Sequence, residues 1–353
     1  MGVGDALVPH QGGASGQREA RSASVVTRRA SRAVDAGRVR GITVMHVREL
    51  VDSMALAADQ TGLRRRLAGD GYLFFRRLLR PADVQAAHES VHAELTLGGW
   101  TTSAGYRAGA RRTTGVREAL EDPSFRAALA SRGLNRLAYL PPLRGLVRLI
   151  LGAGAFCYPV KVLRVVYPER RGTVTRSRYV HQDFGISGVQ DMLTTWLPLM
   201  DIPPLLGGLA LLPGSHLGPP QRPRLLPPDA PGWATTDFGP GDVLLFHCLT
   251  AHAALPNHAD RIRISADFRW QAADQPAPAE LVLRPTADGH ARRGGQAELY
   301  SALLAAEPWW EPVPSGLMLR SRREMAAVPP APSRLFAVHP GWQRWREPAR
   351  PVH

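Results

Sequence analysis

The chain has 353 residues, 44% of them apolar, enough for a hydrophobic core in one large or two ordinary domains and too apolar for disorder throughout. No apolar run reaches the roughly 18 residues that cross a bilayer, and the N-terminus lacks the compact apolar block of a secretory signal, so a cytoplasmic protein without membrane contact is expected. Two cysteines, Cys157 and Cys248, leave no disulfide framework or Cys-rich zinc site, and the formal charge of +14 comes from arginines scattered among Ala, Gly and Pro, the mark of codon bias and not of a nucleic-acid surface.

Residues 1–44 mix Gly, Ala, Ser and Arg without an apolar period and are expected to form a disordered basic tail, with Met45 and Met54 as alternative starts. Residues 45–353 are expected to form a single domain in three parts: a helical part over 45–154, a β core over 155–272 and a covering segment over 273–353. In the first part the pattern predicts a short helix from Leu56 to Leu67 and a strand from Tyr72 to Leu79. A helix opens at Pro81, with Val84, Ala87, Val91 and Leu95 on one face, and stops at Gly98-Gly99. Two further helices run from Asp122 to near Gly133 and from Leu143 to Ile150.

From Phe156 the signal changes to short strands between Gly and Pro turns: Phe156–Tyr167, Tyr179–Ile186, Met192–Leu199, Leu209–Leu212, Val243–Cys248 and Arg261–Trp270. Such a series predicts an antiparallel sandwich or barrel. The last strand alternates strictly, with Arg261, Arg263, Ser265, Asp267 and Arg269 on one face and Ile262, Ile264, Ala266, Phe268 and Trp270 on the other. Beyond it, a helix at Ala297–Ala306 and the pair Trp309-Trp310 are expected to cover the barrel.

His181 and Asp183 stand two apart, so on an extended strand both side chains point to one face and offer N and O donors to one cation. The block Gly241 to His252 reads as a turn, a buried strand and a histidine at its far end, which would add a third ligand. Two histidines and a carboxylate with open positions form the facial triad of iron(II) oxygenases, whereas zinc hydrolases complete a tetrahedron with water. Arg263, on a neighbouring strand, is suited to bidentate binding of a carboxylate, and a buried arginine without such a partner would be costly.

The segments His181-Gln182-Asp183, Leu193 to Asp201, Gly207-Gly208-Leu209, Leu212 to His216, Gly241 to His252, and Asn257 with Arg261 to Ser265 resemble the phytanoyl-CoA dioxygenase family over about residues 156 to 270. The resemblance implies a mainly β protein with flanking α-helices and a double-stranded β-helix core, jelly-roll and cupin-like. It also implies Fe(II), 2-oxoglutarate and O2, and hydroxylation of a small molecule, such as a natural-product intermediate, with release of succinate and CO2. By the same carry-over His181, Asp183 and His252 are the metal ligands, Arg263 holds the distal carboxylate of 2-oxoglutarate and Trp196 walls that pocket; the Arg263-x-Ser265 pattern adds Ser265. Asp183 disfavours halogenation, since related halogenases lack a carboxylate there, and Ala253-Ala254 departs from the family's Gly-Ser.

Several alternatives stay open. His247 competes with His252 as third ligand, and Arg261 competes with Arg263; His216 reads as structural and His258 as exposed. Lys161, the one lysine in an arginine-rich chain, is a candidate contact for substrate or co-substrate, and Gln182 and Thr195 are candidates for the pocket wall. The same residues would also serve a non-catalytic metal-binding jelly roll, a sensor or carrier, and the same oxygenase chemistry extends to desaturation, epoxidation or cyclisation. A monomer and a homodimer are equally compatible with the sequence.

Overall fold

A computed structural model describes residues 47–282 apart from 105, 110–115, 160, 170–178 and 226–230, and beyond them residues 311, 313–327, 333 and 335. The expected basic tail at 1–44, the helix at 297–306 and the Trp309-Trp310 pair lie outside the described residues.

The first helix starts later than its apolar residues suggest. A 3-10 turn at Met54–Leu56 precedes α1 (Gln60–Asp70), because Asp59 caps it by accepting from the Gly62 N–H at 2.9 Å. Gly71 ends α1 at φ +79°, and β1 (Arg48–Glu49) and β2 (Tyr72–Phe75) flank it in sequence. β2 stops at Phe75 and not at Leu79, since Arg77 turns to φ +51°. α2 (Pro81–Leu97) buries Val84, Ala87, Val91 and Leu95, the stripe expected from sequence. The stretch after it breaks into α3 (Val116–Glu121), α4 (Pro123–Ala130) and α5 (Arg132–Leu137), with Asp122 accepting from the Phe125 N–H at 3.0 Å to start α4. α6 (Pro141–Leu151) ends at Gly152.

The strands then form two sheets. The major sheet runs β2, β10 (Val243–His247), β6 (Leu193–Pro198), β12 (Arg263–Ala272), β3 (Ala155–Cys157), with β4 (Val162–Val166) pairing the first half of β12. The minor sheet runs β1, β9 (Ala234–Thr235), β7 (Leu209–Leu211), β11 (His252–Ala254). Outside these, β5 (Tyr179–Val180) pairs β8 (Arg224–Leu225), and a bridge from His181 to His252 ties that ribbon to β11. β13 (Ala277–Pro278) and β14 (Leu319–Arg320) pair in parallel, next to α8 (Ala279–Val282) and α9 (Arg322–Ala327). This is the mainly β, double-stranded β-helix architecture with flanking helices. Among the described residues no helix is long and apolar enough to cross a membrane.

Two strands differ from their expected course. The run expected from Phe156 to Tyr167 is divided around Pro159 into β3 and β4. The strand expected over Tyr179–Ile186 ends at Val180: Asp183 is helical, φ −63° and ψ −21°, and Phe184–Ser187 makes one helical turn, α7. His181 and Asp183 therefore do not meet by strand alternation; the chain turns between them.

β12 organises the core. Its regular part begins at Arg263, and Arg261, half-buried, instead bridges to Arg107. Ile264, Ala266, Phe268 and Trp270, at most 1% exposed, face the helices, among them α6. The alternate residues Arg263, Ser265, Asp267 and Arg269 are buried as well, because the minor sheet closes over them. The polar face expected from sequence is thus an interior surface and not a solvated one. Truncation in Phe268→Ala should cost about 3–5 kcal/mol and Ile264→Val about 0.5–1.5 kcal/mol, read from urea melts at constant slope. Equal, near-zero losses would contradict the packing of this face.

Candidate metal centre and cleft

Three side chains converge where the β5 ribbon meets β11. One ligand atom from each of His181, Asp183 and His252 lies within 4.8 Å of the others. The backbone bridge sets the two histidines side by side: each N–H of the pair donates to the other's carbonyl, at 3.1 and 3.0 Å, and the rings, tilted by 55°, have centres 4.2 Å apart. Each ring's Nδ1 sits by the carbonyl two residues earlier, Tyr179 O at 3.0 Å and Thr250 O at 2.9 Å, so Nδ1 carries the proton and Nε2 keeps its lone pair. Both Nε2 atoms stand 3.9 Å from Asp183 Oδ1.

Asp183 is 1% exposed, and burial by itself would raise its carboxyl; Arg269, His252, His181 and a hydrogen bond from Thr194 outweigh that and hold it well below the usual carboxylate range. Thr194 Oγ1 donates to Oδ2 at 2.7 Å and Arg269 Nη2 approaches Oδ1 at 3.4 Å. Burial, helped by neighbouring His181, pushes His252 down to about 4. At neutral pH the cluster therefore presents an anionic oxygen and a neutral imidazole, the protonation states a divalent metal needs.

The cleft beside these donors is lined from both sheets, by Arg164, Asp267, Arg263 and Trp196 of the major sheet and Leu209 and Ala254 of the minor, with Phe246 below His252. Its non-atom space, open solvent included, is about 310 Å³. Arg164 pairs with Asp267 through Nη2 at 2.5 Å and Nε at 2.8 Å.

Arg263 has no such partner. Its side chain is fully buried, Nη1 donates to the carbonyls of Gly207 and Gly208 at 2.5 and 3.1 Å, and Nε and Nη2 have no hydrogen bond. Burial and the nearby Arg164 push it down to about 9, only partly offset by Asp267. Gly207 has to be glycine for this arrangement: its φ is +72°, and a Cβ there would lie 2.4 Å from the Pro256 carbonyl oxygen.

The structure thus gathers His181, Asp183, His252, Arg263 and Trp196 around one cleft, with the Ser265 hydroxyl buried on the same strand face as Arg263 and without a hydrogen bond. Three expected contacts sit elsewhere. Thr195 points to the helix-covered face, where its hydroxyl accepts from Trp270 Nε1 at 3.1 Å; alternation along β6 makes Thr194 the inward residue, as it makes Trp196. Gln182 braces the turn, donating to Leu249 O at 2.6 Å and accepting from the Gln221 N–H at 2.7 Å. Lys161 lies on the outer side of the major sheet, over the rings of Tyr139 and Phe268, and does not reach the cleft. The open alternatives separate in space too: His247 Nε2 faces Asp191 at 3.6 Å, His216 Nε2 meets Ala68 O at 3.1 Å, and His258 is exposed. Thr194, Arg164 and Arg269 went unassigned in the sequence, although strand parity with Trp196 and Arg263 places Thr194 and Arg269 on the inner face.

Residues 67–265 match the description Phytanoyl-CoA dioxygenase (PhyH), more than half of the chain. The chain belongs to the phytanoyl-CoA dioxygenase family. It is 31% identical over 147 residues to a 1-deoxypentalenic acid 11-beta-hydroxylase of Streptomyces exfoliatus, covering 35% of this chain and 52% of that protein. A second 1-deoxypentalenic acid 11-beta-hydroxylase, of Streptomyces arenae, is 34% identical over 115 residues, 27% of this chain and 41% of that one. The chain therefore spans about half the length of the curated relatives it matches. Among solved structures it is similar to the epimerase SnoN in complex with Fe3+, alpha ketoglutarate and nogalamycin RO, at 22% identity over 61% of this chain and 84% of that one, with a TM-score of 0.45. It is also similar to the non-heme monooxygenase ThoJ, at 17% identity over 75% and 97% of the two chains, with a TM-score of 0.49.

The two faces of β6 give a direct contrast. Thr194→Val removes a donor that orients the Asp183 carboxylate and should weaken metal binding by about 10–100-fold. Thr195→Val removes an acceptor for a buried indole and should cost about 1–3 kcal/mol of stability while leaving metal affinity unchanged. Metal titration under argon and thermal melts of both variants check this, and the reverse pattern would overturn the assigned strand faces.

Proposed function

We propose that this chain is an Fe(II)- and 2-oxoglutarate-dependent oxygenase that hydroxylates a C–H bond of a small molecule. The observation that carries the reading is Arg263: a fully buried guanidinium with two nitrogens unsatisfied, in the same cleft as a two-histidine, one-carboxylate cluster. A bare buried guanidinium is costly, and a planar carboxylate meeting it side by side removes that cost. The donor set also fits its metal. His181 Nε2, Asp183 Oδ1 and His252 Nε2 would hold the ferrous ion and leave positions for a keto acid and dioxygen, as in the facial triad. When bound, the iron and keto acid together supply the oxidative decarboxylation to succinate and CO2 that drives C–H oxidation.

The chain's own residues do the rest. Arg263 fixes the far carboxylate and so sets the direction in which the keto acid enters the cleft. Thr194 and Arg269 keep Asp183 ionised and aimed, and the Tyr179 and Thr250 carbonyls hold both imidazoles in the Nε2 lone-pair tautomer. Trp196, Phe246 and Leu209 exclude water around these groups. Hydroxylation of a natural-product intermediate is supported by the two partly matching relatives, whose names describe hydroxylation of an acid. The two buried, unpaired cysteines suit a cytoplasmic location.

Succinate formation from 2-oxoglutarate tests the reading. Wild-type chain with Fe(II) should form it, and His181→Ala, Asp183→Ala and His252→Ala should not, while His247→Ala should retain uncoupled turnover. A non-catalytic carrier would form none in any variant. Arg263→Ala leaves a carboxylate without its partner, a loss of about 3–5 kcal/mol, so affinity for 2-oxoglutarate should fall by about two to three orders of magnitude or more while iron binding survives. Arg263→Lys should recover part of it. Arg261→Ala, outside the strand, should change affinity by less than about tenfold. Loss of co-substrate binding in Arg261→Ala with retention in Arg263→Ala would contradict the assignment.

A further inference from the structure

Lys161 is the chain's only lysine and is 1% exposed. Its Nζ donates to Tyr158 O at 2.6 Å and to Cys157 Sγ at 2.9 Å, and lies 5.5 Å from the Tyr139 ring centre and 5.7 Å from that of Phe268. Among the described residues no carboxylate is within salt-bridge distance of it. A separation of 2.9 Å is ordinary for N–H···O, whose mode is about 2.9–3.0 Å, but close for the larger sulfur atom. It is slightly shorter than the roughly 3–3.5 Å of a near-attack contact. Cys248 is buried too, yet its sulfur meets the Val189 and Gln190 carbonyls at 3.1 and 3.2 Å and has no amine beside it among the described residues.

We infer that Cys157 and Lys161 are a redox-sensitive pair that closes to a sulfenamide cross-link, an S–N bond between Sγ and Nζ. The oxidant is a peroxide. Hydrogen peroxide takes two electrons from the thiol, giving the sulfenic acid and one water. The Nζ lone pair, freed of its extra proton, then attacks sulfur; the S–O bond breaks, and the departing hydroxide takes a proton from nitrogen as a second water. Overall, thiol, amine and peroxide give the S–N bond and two waters. Sulfenic acids condense in this way with nitrogen nucleophiles, and condensation removes them from irreversible over-oxidation. Burial pushes the Cys157 thiol up, with the Lys161 charge pulling it partly back, so excess peroxide is needed.

The bond would join the end of β3 to the start of β4, the two strands that pair with successive halves of β12. It forms on the outer side of the sheet, away from Arg263 and the metal donors.

The chain's single lysine makes the test direct. A lysine-specific protease acting on the denatured, reduced protein cuts once, after Lys161. The folded protein is treated with hydrogen peroxide, quenched, blocked with an alkylating agent and denatured without thiol. The chain should then largely resist that cut, show an intact mass lower by two hydrogens, and regain cleavage after thiol reduction. Cys157→Ser, treated alike, should be cut fully; in Lys161→Arg the residue-157 thiol should progress to sulfinic acid faster than in wild type. Full cleavage of the oxidised wild type, or oxygen added at Cys157 with the Lys161 cut intact, would overturn the inference.

Discussion

The unsatisfied guanidinium of Arg263 is the constraint on which the rest of this structure turns. An arginine is tolerated at full burial only where hydrogen bonds or an anion replace its lost hydration. Here two glycine carbonyls satisfy one nitrogen and leave Nε and Nη2 open. Those carbonyls reach it because Gly207 occupies a left-handed conformation hard against Pro256, and the strand that carries it is clamped by β6 on one edge and by β3 and β4 on the other. A rigid frame thus holds a cation whose natural complement is a carboxylate brought from outside.

Charge is arranged with the same economy at the other end of β12. Asp183 is buried among Arg269, Thr194 and two imidazoles, which keep it ionised despite desolvation. The histidines are locked by repeated geometry, each Nδ1 bonded to the carbonyl two residues back, and both Nε2 atoms stand 3.9 Å from the same Asp183 oxygen. Arg263 and Arg269 belong to one face of one strand, so the spacing between the unsatisfied guanidinium and the arginine that approaches Asp183 is set by strand rise. That is the preorganisation a chelating co-substrate requires.

Much of this was legible in the sequence because it depends on period two. The strict alternation of Arg261 to Trp270 marked the strand that matters, and Pro81 and Asp122 marked helix starts at or next to where they lie. What alternation could not supply was the partner of each face: the polar side of β12 is interior because a second sheet closes over it. The same rule, applied consistently, forbids Thr195 and Trp196 from sharing the cleft and selects Thr194. His181 and Asp183 converge through a helical turn at Asp183, a geometry with no signature in a His-x-Asp spacing. Lys161 stood out by rarity, and rarity carries no direction; its partners are a thiol, a carbonyl and two rings behind the sheet.

The central claim is that one molecule of 2-oxoglutarate bridges the Arg263 guanidinium and a ferrous ion at His181, Asp183 and His252. The most direct measurement is the visible absorbance of the chain under argon, titrated with Fe(II) and then with 2-oxoglutarate. A chelating keto acid on ferrous iron should produce a metal-to-ligand charge-transfer band that needs both additions and saturates at one equivalent of each. Binding of 2-oxoglutarate without that band, or a band that persists in full in His252→Ala, would contradict the account.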